Sequence, residues 1–217
     1  MKITLTPAIG TTKSFSFEPS LSSLPKQATH ELLRKILNEE PHNFPVALAL
    51  ADSYMEIDQV EKACQTRLDC ATLIFDLVDS LPDNESLEID VNSQDNLAVI
   101  MTIYLSAIDH YSIGDFEMAA AMLEIILEMD VEDHLGANNY LAFTYAALGD
   151  NDAVEEQLKI MMPTPQTKEL LRTITKHTNN PKTPVPDSVA KLIENPNDDQ
   201  KLMLEPLSLT HKSLFNK

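Results

Sequence analysis

The sequence predicts an all-α fold, a stack of antiparallel helical hairpins with an irregular N-terminal arm and C-terminal tail. Three observations predict it. First, Gly114-Asp115-Phe116-Glu117-Met118-Ala119 is echoed by Gly149-Asp150-Asn151-Asp152-Ala153-Val154, 35 positions later. A Gly that can take positive φ ends one helix and the following Asp caps the next, and a period near 34 marks stacked helical hairpins. Second, apolar residues recur at helical spacing through the middle of the chain. Third, the 217 residues contain only 4 Gly, while most of the 13 Pro lie outside that middle, which disfavours a turn-rich β fold. The apolar fraction of 43% supplies a core, and with no Trp and 6% aromatics that core must be aliphatic.

Each element has its own signal. Residues 1–27 alternate weakly (Ile3-Thr4-Leu5, Phe15-Ser16-Phe17) among Pro, Ser and Thr, and read as an extended or disordered arm. A helix is expected from Thr29, its N-cap, to Glu39, with Leu32, Leu33, Ile36 and Leu37 on one stripe. Asn43 and Pro45 open the next, which carries Leu48, Leu50, Ala51 and Tyr54. Asp58 marks a turn, and Val60 to Asp79 reads as its partner helix. Residues 81–93, acidic and broken by Pro82, read as a loop. Long apolar helices are then expected over 95–111 and 115–129, followed by 135–148 and 150–161. Pro163 and Pro165 stop the last of these, and 166–177 forms one more amphipathic helix. The helical domain therefore spans 28–177. Residues 178–217 read as a Pro-rich tail, mostly irregular, with at most a short helix at Asp187–Glu194.

The net charge of −18 argues against binding a nucleic-acid backbone or an anionic membrane surface. The charge is also uneven. No Lys or Arg lies between Arg67 and Lys159, a stretch with 20 Asp and Glu. Such a surface keeps a protein dissolved, and it also attracts a basic partner segment. Cys64 and Cys70 fall on different faces of one helix and cannot bridge, in keeping with a reducing compartment. Without a signal-peptide pattern or a run of 18 apolar residues, the expected location is the cytoplasm.

Set on the tetratricopeptide repeat pattern, the middle of the chain fits in three registers. From Phe44 the matches are Leu50, Ala51, Tyr54 and Ala63; from Ile100 they are Ala107, Gly114-Asp115, Ala119 and Leu123; from Leu135 they are Leu141, Ala142, Tyr145 and Gly149-Asp150. Leu33 and Pro41 fit a degenerate leading half-repeat, and Asp133–Gly149 resembles a segment of bacterial repeat proteins. Over about 29–162 the chain thus resembles divergent tetratricopeptide repeats, with Asp58 in place of a turn Gly and no Trp at the fourth position. The resemblance implies a right-handed superhelix that binds an extended polypeptide on its concave face. On this chain the face would present Met101, Tyr104, Ile108, Tyr111, Asn139 and Phe143.

Members of the family that clamp a peptide carboxylate do so with Lys and Arg on the first helix of each hairpin. Helices 95–111 and 135–148 have none, so an apolar or basic segment is the expected ligand, as for an adaptor or a secretion-type chaperone. Self-association through the arm or the tail, giving a homodimer, is the alternative. The six histidines make no i, i+4 pair, and no Cys-x-x-Cys, phosphate-binding Gly loop or nucleophile elbow occurs. No enzyme, metal or cofactor is therefore expected, an enzyme without a recognisable motif being the remote alternative.

Overall fold

The computed structural model describes residues 3–7, 13–17, 23–80 and 87–215. Eleven helices and three short strands lie among them, so the all-α class holds with a small sheet added. The first six residues of the expected 81–93 loop lie outside the described residues, as do parts of the N-terminal arm. The chain divides into two compact units: Met1–Ser106 with Ile125–Leu135, and Ala107–Glu124 with Gly136–Lys217.

The first unit opens with β1 (Ile3–Pro7) and β2 (Lys13–Phe17), which pair antiparallel from Ile3↔Phe17 to Pro7↔Lys13. A third strand, β3 (Leu87–Ile89), lies parallel to β2 with Phe15 opposite Ile89. It falls where the sequence suggested loop. Three residues have little strand propensity of their own, and it is the non-local pairing with β2 and the burial of Ile89 that order them.

Helix α1 (His30–Glu39) begins as expected, with the Thr29 hydroxyl accepting from the Leu32 N–H. Asn43 caps α2 (Phe44–Glu56), with Pro45 in its first turn, and α3 (Val60–Asp79) follows. Leu33, Val46, Leu50, Ala51, Tyr54 and Ala63 form the core joining these three helices. At the α2–α3 turn Asp58 itself takes φ +58, the role that Gly has at the later turns.

Helices α4 (Gln94–Ile113) and α5 (Phe116–Met129) carry the chain between the units. In the second unit α6 (Ala137–Leu148), α7 (Asn151–Met161) and α8 (Pro165–Asn179) pack together. Gly114 (φ +84) and Gly149 (φ +78) are both left-handed, and Asp150 accepts from the Ala153 N–H to start α7. Gly136, left-handed at φ +71, delays α6 by two residues relative to the expected start. Thr164 caps α8, with Pro165 as its first residue.

The tail departs from expectation. Beyond α9 (Asp187–Glu194) come α10 (Asp198–Thr210) and α11 (Lys212–Phe215). Pro206 argued locally for irregular chain, since it lacks an N–H and crowds the preceding turn. The structure offsets that cost with a capping box of Asn197 and Gln200 and with the burial of Leu204, Leu207 and Leu214.

Candidate functional site

In the first unit the sheet and the chain after α5 enclose a cleft of about 600 Å³. Successive strand residues point to opposite faces. Burying Phe17 and Ile89 therefore turns Ser16 and Glu88 toward the cleft, which both residues line. After β3 the chain turns sharply: the Asp90 carboxylate accepts from the Asn92 backbone N–H at 3.1 Å and from its side-chain amide at 2.8 Å. Those two hydrogen bonds stabilise the ionised form and hold the Asp90 carboxyl below its ordinary range.

Asn96 fixes this turn to the sheet. It is fully buried; its Oδ1 accepts from the Phe17 N–H at 2.8 Å and its Nδ2 donates to the Asp90 carbonyl at 2.7 Å. One amide side chain in the first turn of α4 thus joins the end of β2 to the end of β3.

The opposite wall comes from the end of α5 and the residues after it: Met129, Asp130, Val131, Glu132 and His134. Asp130 is only 3% exposed, and both its oxygens are used by His134. One accepts from the His134 backbone N–H at 2.8 Å and the other faces Nδ1 at 2.6 Å, so Nδ1 carries a proton. Glu132 lies 3.4 Å from His134 Nε2. The Asp130 hydrogen bond, reinforced by the charges of Asp130, Glu132 and Asp133, raises the His134 pKa above its ordinary value. Asp133 takes φ +53, which bends the chain so that residues 130 and 134 meet.

Four carboxylates (Glu88, Asp90, Asp130 and Glu132) and one imidazole thus line the cleft, with no Lys or Arg among the lining residues. The lining attracts cations. Among the described residues no three His, Cys, Asp or Glu side chains come together as a metal site. The chemistry on offer is recognition of an ammonium or guanidinium group by carboxylates, with Ile89, Val91 and Met129 giving apolar surface beside them.

The six residues the sequence proposed for a groove are divided between the units. Met101 and Tyr104 belong to the first and are half-buried. Ile108, Tyr111, Asn139 and Phe143 belong to the second, where Ile108 is half-buried and Asn139 exposed. Tyr111 and Phe143 are brought together in the core of that unit, with Tyr111 wholly buried and its hydroxyl donating to the Met203 carbonyl at 2.7 Å. Burial pushes the Tyr111 hydroxyl well above its ordinary pKa. Tyr140, absent from the sequence reading, meets the Tyr111 ring edge-on at 5.6 Å.

The cleft residues were missed as a set. Their signal was the stretch without positive charge, which contains Glu88, Asp90, Asp130 and Glu132.

No family model, curated protein or solved structure matches the chain. Among the described residues no helix is long and apolar enough to cross a membrane.

Proposed function

We propose that the chain is a non-enzymatic interaction module of tetratricopeptide type. Its hairpins wind into a right-handed superhelix, and it binds a basic segment of a partner polypeptide, as an adaptor or secretion-type chaperone would. The observation that carries this reading is the cleft in the first unit, where four carboxylates converge without a Lys or Arg among them. A ligand that brings positive charge is attracted by the summed negative charge of this lining.

Three features support the repeat reading. Gly114 and Gly149 are left-handed at turns one repeat apart, Asp58 adopts the same conformation at the α2–α3 turn, and Ala142 and Ala146 are buried where close helix approach needs small residues. A reducing compartment, the cytoplasm, suits the two free thiols, of which Cys70 is buried with its pKa pushed up to about 12.

The test is fluorescence anisotropy with a labelled Lys/Arg-rich peptide and an acidic peptide of equal length. The basic peptide should bind and the acidic one should not. Glu88→Gln with Glu132→Gln removes one half-buried and one exposed charge, each worth up to about 1 kcal/mol, and should weaken binding roughly three- to tenfold. Raising the salt should weaken it further. Equal affinity for both peptides, or an unaffected double variant, would refute the assignment.

A further inference from the structure

His134 stands in the wall of the acidic cleft, and its two ring nitrogens have different surroundings. Nδ1 meets a buried partner. Asp130 is 3% exposed, and its carboxylate lies 2.6 Å from Nδ1 while also accepting from the His134 backbone N–H at 2.8 Å. Leaving a buried carboxylate oxygen without a donor is costly, so Nδ1 keeps its proton in the neutral ring as well as in the charged one. The proton that comes and goes is therefore the one on Nε2. That nitrogen faces Glu132, an exposed residue of the same cleft, across 3.4 Å.

The charges that bear on the ring are negative. Asp130, Glu132 and Asp133 belong to its own segment, and Glu88 and Asp90 line the cleft from β3 and the turn after it. From β2 the lining receives only the uncharged Ser16. With Nε2 protonated, the imidazolium brings a positive charge into the cleft and occupies Glu132, as a Lys or Arg of a ligand would. With Nε2 bare, Glu132 loses that partner, and the ring nitrogen becomes an acceptor beside it. One cationic group from outside can then donate to both.

We infer that His134 gates the cleft by exchange: a Lys or Arg side chain of the partner enters as the Nε2 proton leaves, so a basic segment is held more tightly as pH rises and released as it falls. The gate rests on the cleft being the site for a basic segment. The Asp130 hydrogen bond, the largest influence on the ring, moves loss of the proton above the ordinary imidazole value and so toward neutral pH. Charge sets the direction of the linkage. A cation bound beside the ring disfavours the imidazolium, and protonation of the ring disfavours the cation to the same extent.

The experiment uses the full chain and a rhodamine-labelled Lys/Arg-rich peptide without His, at constant ionic strength. Affinity should rise roughly three- to tenfold between about pH 6 and pH 8.5. His134→Gln, with no titrating group at that position, should bind with one affinity throughout. Affinity level with pH in the unaltered chain, or rising as steeply in the variant, would overturn the gate and leave the cleft site standing. Failure of the peptide to bind at any pH would remove the site and the gate together. Calorimetry in buffers of different ionisation enthalpy gives a reading that does not depend on how the variant folds. Near neutral pH the unaltered chain should release protons as the peptide binds; proton uptake, or no exchange, would end the proposal.

Discussion

Replacing Gly149 by Ala probes the turn on which the hairpin reading was built. Gly149 sits at φ +78 and ψ 16, closing α6, and its carbonyl accepts from Asn179 Nδ2 at 2.7 Å. An added Cβ would stand 2.7 Å from Asn179 Oδ1 and 3.1 Å from its Cγ. Two costs follow. An L-residue in the left-handed region loses about 1–2 kcal/mol relative to Gly, and relief of the clash swings Asn179 away, losing a partly exposed hydrogen bond worth about 0.5–1 kcal/mol. Against them, Ala reduces the freedom of the unfolded chain and returns about 0.4–1 kcal/mol. The net is a destabilisation of about 1.5 kcal/mol, or roughly 3–6 °C in Tm for a chain of this size. Thermal and urea unfolding of Gly149→Ala, Asn179→Ala and the double variant separate the terms. In the Asn179→Ala background the cost should fall by about 0.5–1 kcal/mol, since only the backbone term remains. A Gly149→Ala chain as stable as the original would refute the left-handed turn and the packing of Asn179 on it.

Asn96→Ala removes the acceptor for the Phe17 N–H and the donor for the Asp90 carbonyl, and should cost roughly 2–3 kcal/mol in urea unfolding while weakening capture of the basic peptide by the cleft. Two histidines should give stability opposite slopes in pH. Burial, the largest cause, holds the His211 pKa below 6.5, so the unfolded chain binds the proton more readily; its contribution is present above about pH 6.5 and lost as pH falls through the folded value. The Asp130 hydrogen bond raises the His134 pKa above 6.5, so its contribution is present below that pH and lost as pH rises through the folded value. Thermal melts from pH 5 to 8 should show His211→Gln flattening the acid limb and His134→Gln flattening the neutral-to-alkaline limb; unchanged profiles would contradict both assignments.

The helices were legible because their signals are local. Thr29, Asn43, Asp150 and Thr164 each accept a hydrogen bond from a backbone N–H in the first turn of the helix they precede, and Gly114 and Gly149 take the positive φ that their place after an apolar helix implied. What failed depended on partners distant in sequence. Strand β3 exists through β2, and α10 holds together across Pro206 because Leu204 and Leu207 are buried against the rest of the second unit. The same holds for the sites. The charge gap predicted an acidic surface, but Glu88 and Asp90 share a cleft with Asp130 and Glu132 only because Asn96 ties the end of β3 to β2 and Asp133 bends the chain back after α5. The tetratricopeptide resemblance placed Tyr111 and Phe143 on a groove. Both are core residues of the second unit, because the helices packed there, including the unforeseen α10, surround them.

Titration of the ¹⁵N-labelled chain with an unlabelled Lys/Arg-rich peptide, followed by ¹H–¹⁵N correlation spectra, tests the central claim most directly. If the cleft is the binding site, the largest shifts fall on 88–92 and 129–134 and fade as salt is raised. Shifts confined to other residues, or none at concentrations where the peptide is bound, would contradict it.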